Sequence, residues 1–202
     1  MLVKVCGITN LEAAQVVANE SADFIGFVFA PSTRKIDPLN AQKISKKLPD
    51  SIKKVGVFVN ESKNTIERIS DQVGLDYIQL HGDETIEFAN SLSLPIIKAL
   101  NLNDELMFNL DNFPAEYFII DSPGKKFRGG SGETFDWNEL THLNIDLNKI
   151  ILAGGLNETN VHSAIKAVNP IGVDVSSGVE VNGEKDPLKI KQFIKLAKRK
   201  DE

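Results

Sequence analysis

The sequence predicts an α/β fold, a single-domain (β/α)8 (TIM) barrel over residues 1–202, and three observations carry that prediction. First, eight short apolar runs recur along the chain, at 2–6, 24–29, 55–59, 77–80, 96–99, 117–120, 150–153 and 171–175. They are rich in Val, Ile and Phe and nearly continuous rather than alternating, as parallel strands covered on both faces should be. Second, amphipathic segments with readable ends separate them, which is the order of a β/α series. Third, no dinucleotide-binding glycine fingerprint follows the first run, where an open nucleotide-binding sheet would often carry one. Eight is the number that closes a barrel, and 202 residues lie near the small end of its size range.

The intervening segments are justified one by one. Asn10 offers a cap before Leu11-Glu12-Ala13, and Asp37 caps a segment whose first helical position is Pro38. Residues 62–73 carry Ile66, Ile69 and Val73 at helical spacing, and Gly74 stops them. Helices are also expected over 83–92, 103–109, 157–168 and 186–197, with a short one after Asp136. Arg128-Gly129-Gly130-Ser131-Gly132, after the sixth run, reads as a mobile loop.

Composition narrows the function. The net charge of −5 argues against a general nucleic-acid partner, and Lys195, Lys198, Arg199 and Lys200 read as the solvated end of a last helix. Any anionic substrate must therefore be attracted locally, against the global field. One cysteine, Cys6, permits no internal disulfide and suits a reducing compartment. No basic segment followed by a long apolar one opens the chain, and the longest apolar stretch, 24–31, is too short to span a bilayer. A cytoplasmic protein without a membrane partner is expected. Three histidines without clustered spacing predict no metal site.

In such barrels the chemistry lies at the C-terminal ends of the strands, so the polar residues there are the candidates. Cys6 ends the first run. Taken alone it is a small buried hydrophobe, but strand alternation puts Lys4 on its face, where an ammonium favours the thiolate a base would need. Asp121 closes the sixth run, either as an ion-pair partner or as a catalytic acid. Arg34, in the loop after the second run, is either an exposed surface residue or a planar fork for a substrate carboxylate. Gly154-Gly155 after the seventh run and Ser176-Ser177-Gly178 after the eighth form the most suggestive pair. Those two loops frequently bind phosphate through backbone N–H groups and a short helix N-terminus. His81 and Asp174 carry weaker signals; Asp174 is also a natural neutraliser of an interior lysine.

Segments in this same order resemble one family. They are Lys4-Val5-Cys6-Gly7-Ile8-Thr9, Gly26-Phe27-Val28-Phe29 with Ser32-Thr33-Arg34, Val55-Gly56-Val57-Phe58-Val59-Asn60 and Gln79-Leu80-His81-Gly82. Asp121-Ser122, Gly129-Gly130-Ser131-Gly132 with Phe135-Asp136-Trp137, Ala153-Gly154-Gly155-Leu156, and residues 174–180 follow. On these motifs the chain resembles the phosphoribosylanthranilate isomerases of tryptophan biosynthesis, and the resemblance spans its length. It departs at Val5, Thr33 and Glu133, none of which is the acid, the base or a phosphate-loop residue that the resemblance implies.

The resemblance implies an Amadori rearrangement of a phosphorylated aminoaldose to an aminoketose, without cofactor or metal, in a monomer or homodimer. It implies Asp121 as general acid, Cys6 as general base and Arg34 as holder of the anthranilate carboxylate. Gly154, Gly155, Ser176 and Ser177 would hold the phosphate, with Asp174 a further substrate-binding candidate. Two rivals stand beside this reading: a Schiff-base lyase or aldolase using Lys98, and a non-catalytic phosphate-ligand binding domain.

Overall fold

A computed structural model describes residues 1–101, 104–108, 110–121, 140 and 145–199. The expected loop at 129–132, the short helix after Asp136, and Ser122 and Glu133 lie outside the described residues. Eight parallel strands close into a barrel in sequence order: β1 Leu2–Cys6, β2 Phe24–Val28, β3 Lys53–Phe58, β4 Tyr77–Leu80, β5 Ile96–Asn101, β6 Tyr117–Asp121, β7 Ile150–Leu152 and β8 Gly172–Val175. β8 pairs back onto β1 with Lys4 opposite Asp174, which shuts the sheet. Every predicted run is a strand, shifted by at most two residues at an end.

Strand parity divides the core. Val3, Val5, Ile25, Phe27, Leu80, Phe118 and Ile120 face outward beneath the helices, while Phe24, Val55, Ile97, Ala99, Ile119, Ile151 and Ala153 fill the barrel. At the N-terminal end Phe24, Tyr77 and Tyr117, from alternate strands, form a floor, with Phe24 5.5 Å and 6.0 Å edge-on from the two tyrosine rings. Val55, Ile97 and Ile151 stand above it, and Lys4 takes the β1 place in that layer. In the next layer the odd strands contribute Cys6, Val57, Ala99 and Ala153, and neighbouring Gly26 adds no side chain at all. Bulk thus seals the bottom, and small residues leave room at the top.

The helices follow local chemistry. α1 Leu11–Asn19 is capped by the Asn10 side chain, α2 Pro38–Ser45 by Asp37 and α3 Lys63–Val73 by Ser62, as predicted; such a cap contributes about 1 kcal/mol. α4 is only Ile86–Asn90, not 83–92, because Thr85 is its cap and Glu84 turns back to the N–H groups of Asn60 and Gly82. The expected helix over 103–109 is instead two 3₁₀ turns, Glu105–Phe108 and Leu110–Asn112. α5 Val161–Val168 starts four residues later than predicted, because Asn157 and Asn160 spend their side chains on the preceding loop. α6 Pro187–Ala197 begins behind the Asp186 cap. A two-stranded hairpin, β9 Glu180–Val181 and β10 Glu184–Lys185, lies between β8 and α6 and was not predicted. No described helix is long and apolar enough to cross a membrane.

Candidate active site

Cys6 faces into the barrel at the end of β1, 8% exposed, and Gly26 on β2 makes its space: a Cβ there would lie 2.8 Å from Sγ. Below it the Lys4 ammonium, wholly buried, donates to Asp174 Oδ1 at 3.0 Å. Burial alone would lower the lysine pKa, but Asp174 and Cys6 together hold it above its ordinary value, while burial outweighs Lys4 and Lys185 at Asp174 and pushes that carboxyl up. The same holds for the thiol. Burial pushes it up, and that outweighs the pull of the Lys4 and Lys185 ammonium groups. Lys4 favours the thiolate, as expected, but its charge is shared with Asp174 and burial outweighs it.

Arg34 is neither free nor simply exposed. Its Nε and Nη2 donate to the two carboxylate oxygens of Glu180 at 2.7 Å and 2.8 Å. Its stem crosses Gly7, whose φ of +78° and lack of Cβ both matter, since a Cβ there would come within 2.6 Å of Arg34 Cδ. Glu180 also accepts from Lys185 Nζ at 2.5 Å, and Lys185 donates to the Ser176 carbonyl at 2.9 Å. Burial lowers the Lys185 pKa against the pull of Glu180, whereas Glu180, pushed up by burial, is drawn below the ordinary carboxylate value by both cations.

The loops after β7 and β8 are built as one unit. Gly154 and Gly155 adopt φ of +82° and +65°, a double left-handed turn that side chains oppose. Asn160 Nδ2 donates to Gly155 O at 3.0 Å and its Oδ1 accepts from Asn157 N at 2.8 Å, which stiffens the loop. Gly178 packs so closely that a Cβ would overlap the Leu156 carbonyl oxygen, 1.8 Å away. Ser177–Val179 forms one 3₁₀ turn, so a short helical N-terminus opens beside the glycines. Of the predicted phosphate residues, Gly154, Gly155 and Ser177 share this rim, while the Ser176 hydroxyl is turned away to donate to the Cys6 carbonyl at 3.2 Å.

Asp121 is 6% exposed and in phase with Ile119, so it faces the interior at the end of β6, three strand positions round the ring from Cys6. His81 follows β4, with its backbone N–H on Phe58 O at 2.9 Å. Lys98 lies on the other face of β5 from Ile97 and Ala99. Its ammonium is spent on Gly82 O at 2.6 Å and Glu84 at 2.8 Å, both outside the barrel interior. That placement removes the ground for a Schiff-base lysine. Glu180 and Lys185 are the polar residues that sequence reasoning missed.

The sequence and the fold are shared with known proteins. The family model described as N-(5'phosphoribosyl)anthranilate (PRA) isomerase matches residues 3–196. An N-(5'-phosphoribosyl)anthranilate isomerase of Oceanobacillus iheyensis is 50% identical over 202 residues, covering 100% of this chain and 98% of that one. The crystal structure of phosphoribosyl anthranilate isomerase from Thermotoga maritima superposes with a TM-score of 0.86 at 43% identity, covering 98% and 99% of the two chains. A crystal structure of a phosphoribosyl anthranilate isomerase in complex with reduced 1-(o-carboxyphenylamino)-1-deoxyribulose 5-phosphate gives a TM-score of 0.82 at 40% identity, covering 98% of each chain. With a match from end to end and identities of 40–50%, the chain belongs to the N-(5'-phosphoribosyl)anthranilate isomerase family, the isomerases of tryptophan biosynthesis.

Proposed function

We propose that this chain converts N-(5-phosphoribosyl)anthranilate to 1-(2-carboxyphenylamino)-1-deoxyribulose 5-phosphate by general acid–base catalysis, as one cytoplasmic catalytic domain over 1–202. The observation that carries the reading is the pairing of Cys6 with Asp121. Both are buried and inward-facing at the same end of the barrel, in a layer opened by Gly26, Ala99 and Ala153. Arg34 and the two glycine-bearing loops stand on the same rim.

Asp121 in its protonated form gives its proton to the ribose ring oxygen. The C1–O bond breaks, the nitrogen lone pair forms a C1=N iminium, and Asp121 is left as carboxylate. The iminium acidifies C2–H. The Cys6 thiolate takes that proton, and the C2–H electrons move into C1=C2 and neutralise the nitrogen. The enolamine then gains a proton at C1 as the C2 hydroxyl becomes the ketone. Only the thiolate acts as base; burial raises the thiol, so its proton passes to water first, a loss that the iminium cation beside it favours. No group is gained or lost overall, and the proton transfers at Asp121 and Cys6 are each worth about 10²–10⁴-fold. The end-on edge of Arg34 would take the anthranilate carboxylate, and the N–H groups of the β7 and β8 loops the phosphate.

The test is to add purified protein to freshly made phosphoribosylanthranilate and follow the anthranilate-type fluorescence. Enzyme-dependent loss of signal is expected, together with growth of a tryptophan auxotroph lacking this step. Tight binding without turnover would point to a phosphate-ligand binding domain instead.

A further inference from the structure

Arg34, Glu180 and Lys185 form a cluster more elaborate than a carboxylate-binding arginine requires. Glu180 grips the side-on edge of the guanidinium through Nε and Nη2. A guanidinium has five N–H donors, so the end-on edge, Nη1 with the second hydrogen of Nη2, still matches a carboxylate in two parallel bonds. We infer that Glu180, held in turn by Lys185, is a positioning residue. It fixes Arg34 so that the end-on edge selects ligands carrying a carboxylate on their aromatic ring. This rests on the reading of Arg34 given above.

Three observations support it. The cluster is sheltered: the side chains of Arg34, Glu180 and Lys185 are 22%, 8% and 2% exposed, so the pairing is only weakly screened by water. It is tied to the base. Lys185 Nζ reaches the Ser176 carbonyl at 2.9 Å and its hydroxyl at 3.4 Å, that hydroxyl reaches the Cys6 carbonyl, and the Arg34 stem rests on Gly7, next to Cys6. A displacement of Glu180 is thus a displacement of Arg34 relative to Cys6. Its charge is also matched to the ligand. Two cations and one anion leave +1, which one substrate carboxylate cancels.

Charge and orientation predict opposite signs for the loss of Glu180, and this makes the role testable. Glu180→Gln raises the cluster to +2, so attraction alone would tighten binding of a carboxylate. A glutamine accepts through one oxygen only, so the bidentate grip is lost, and orientation predicts weaker binding.

The experiment measures, by calorimetry, the affinity for reduced 1-(o-carboxyphenylamino)-1-deoxyribulose 5-phosphate and for its phenylamino counterpart without the carboxyl. The wild type is expected to prefer the carboxylated ligand by roughly 30-fold or more. Glu180→Gln should cut that preference about tenfold and leave the uncarboxylated ligand unaffected, while raising KM by more than it lowers kcat. A merely structural salt bridge would lower the melting temperature without touching the preference. Preference unchanged or increased in Glu180→Gln overturns the proposal. If that variant does not fold, Glu180→Asp decides, because it keeps the charge and shortens the reach; an intact preference there overturns it equally. Arg34→Ala separates the two levels. If it keeps the preference, the reading of Arg34 itself fails; if it loses the preference while Glu180→Gln keeps it, only the role of Glu180 falls.

Discussion

Replacing Gly178 by alanine adds one methyl group at the tightest point of the proposed phosphate site. The new Cβ would lie 1.8 Å from the Leu156 carbonyl oxygen, 2.9 Å from the Leu156 carbonyl carbon and 3.1 Å from Asn157 Cα. A carbon and a carbonyl oxygen approach no closer than about 3.3 Å, so the two loops must part by about 1.5 Å. All three obstacles are backbone, and the β7 loop is tethered through Asn160 to Gly155 O and Asn157 N. It cannot yield without breaking those bonds. Overpacking of this kind costs about 1–3 kcal/mol, and at this chain length each kcal/mol lowers Tm by about 2–4 °C. Because an error of about 1 Å at a binding element can cost on the order of 10²-fold, kcat/KM should fall by about that factor, and inhibition by inorganic phosphate should weaken with it. Scanning calorimetry and steady-state kinetics read both effects. A Gly178→Ala protein that melts with the wild type and keeps its kcat/KM would refute the close packing and the phosphate assignment together.

Two further outcomes follow from the buried charges. Glu84→Gln breaks the pair with Lys98, in which both side chains are 3% exposed, and should destabilise the fold by about 3–5 kcal/mol at neutral pH. Burial raises the Glu84 pKa, but Lys98 and the backbone N–H groups around it bring the carboxyl below its ordinary value. Its stabilisation is therefore full above the unfolded value of about 4.3 and lost as pH falls through the folded one. The Tm gap between wild type and variant should narrow below about pH 4, and a gap constant down to about pH 3 would contradict this. Lys4→Met removes a cation that favours the Cys6 thiolate, so the midpoint of thiolate ultraviolet absorbance, already above the ordinary ~8.5, should rise further. With a single cysteine in the chain the signal is unambiguous, and a lower or unchanged midpoint would count against the assignment.

The barrel was legible because each strand is buried on both faces and so appears as an apolar run that no neighbouring helix imitates. Caps were legible where one residue does one job, as at Asn10, Asp37 and Ser62. They misled where a side chain serves the loop instead, as with Asn157 and Asn160. The hairpin carries a local signal. Asn182-Gly183 sits between its strands with φ of +54° and +84°, and such a dipeptide is the strongest short-range mark of a two-residue turn. Glu180 was hidden for another reason: its bond to Arg34 spans 146 residues, and no local pattern encodes such a partner. The facing of Lys98 was available from parity, since Ile97 and Ala99 claim the interior. The resting state of Cys6 was not, because it turns on how strongly burial outweighs Lys4.

The division of labour between Cys6 and Asp121 is tested most directly by single-turnover fluorescence with phosphoribosylanthranilate on Cys6→Ala and Asp121→Asn, beside calorimetric titration of the reduced product analogue. Each variant should bind the analogue as the wild type does and turn over at least about 10²-fold more slowly. Wild-type turnover in either one would show that its side chain carries no proton in the reaction.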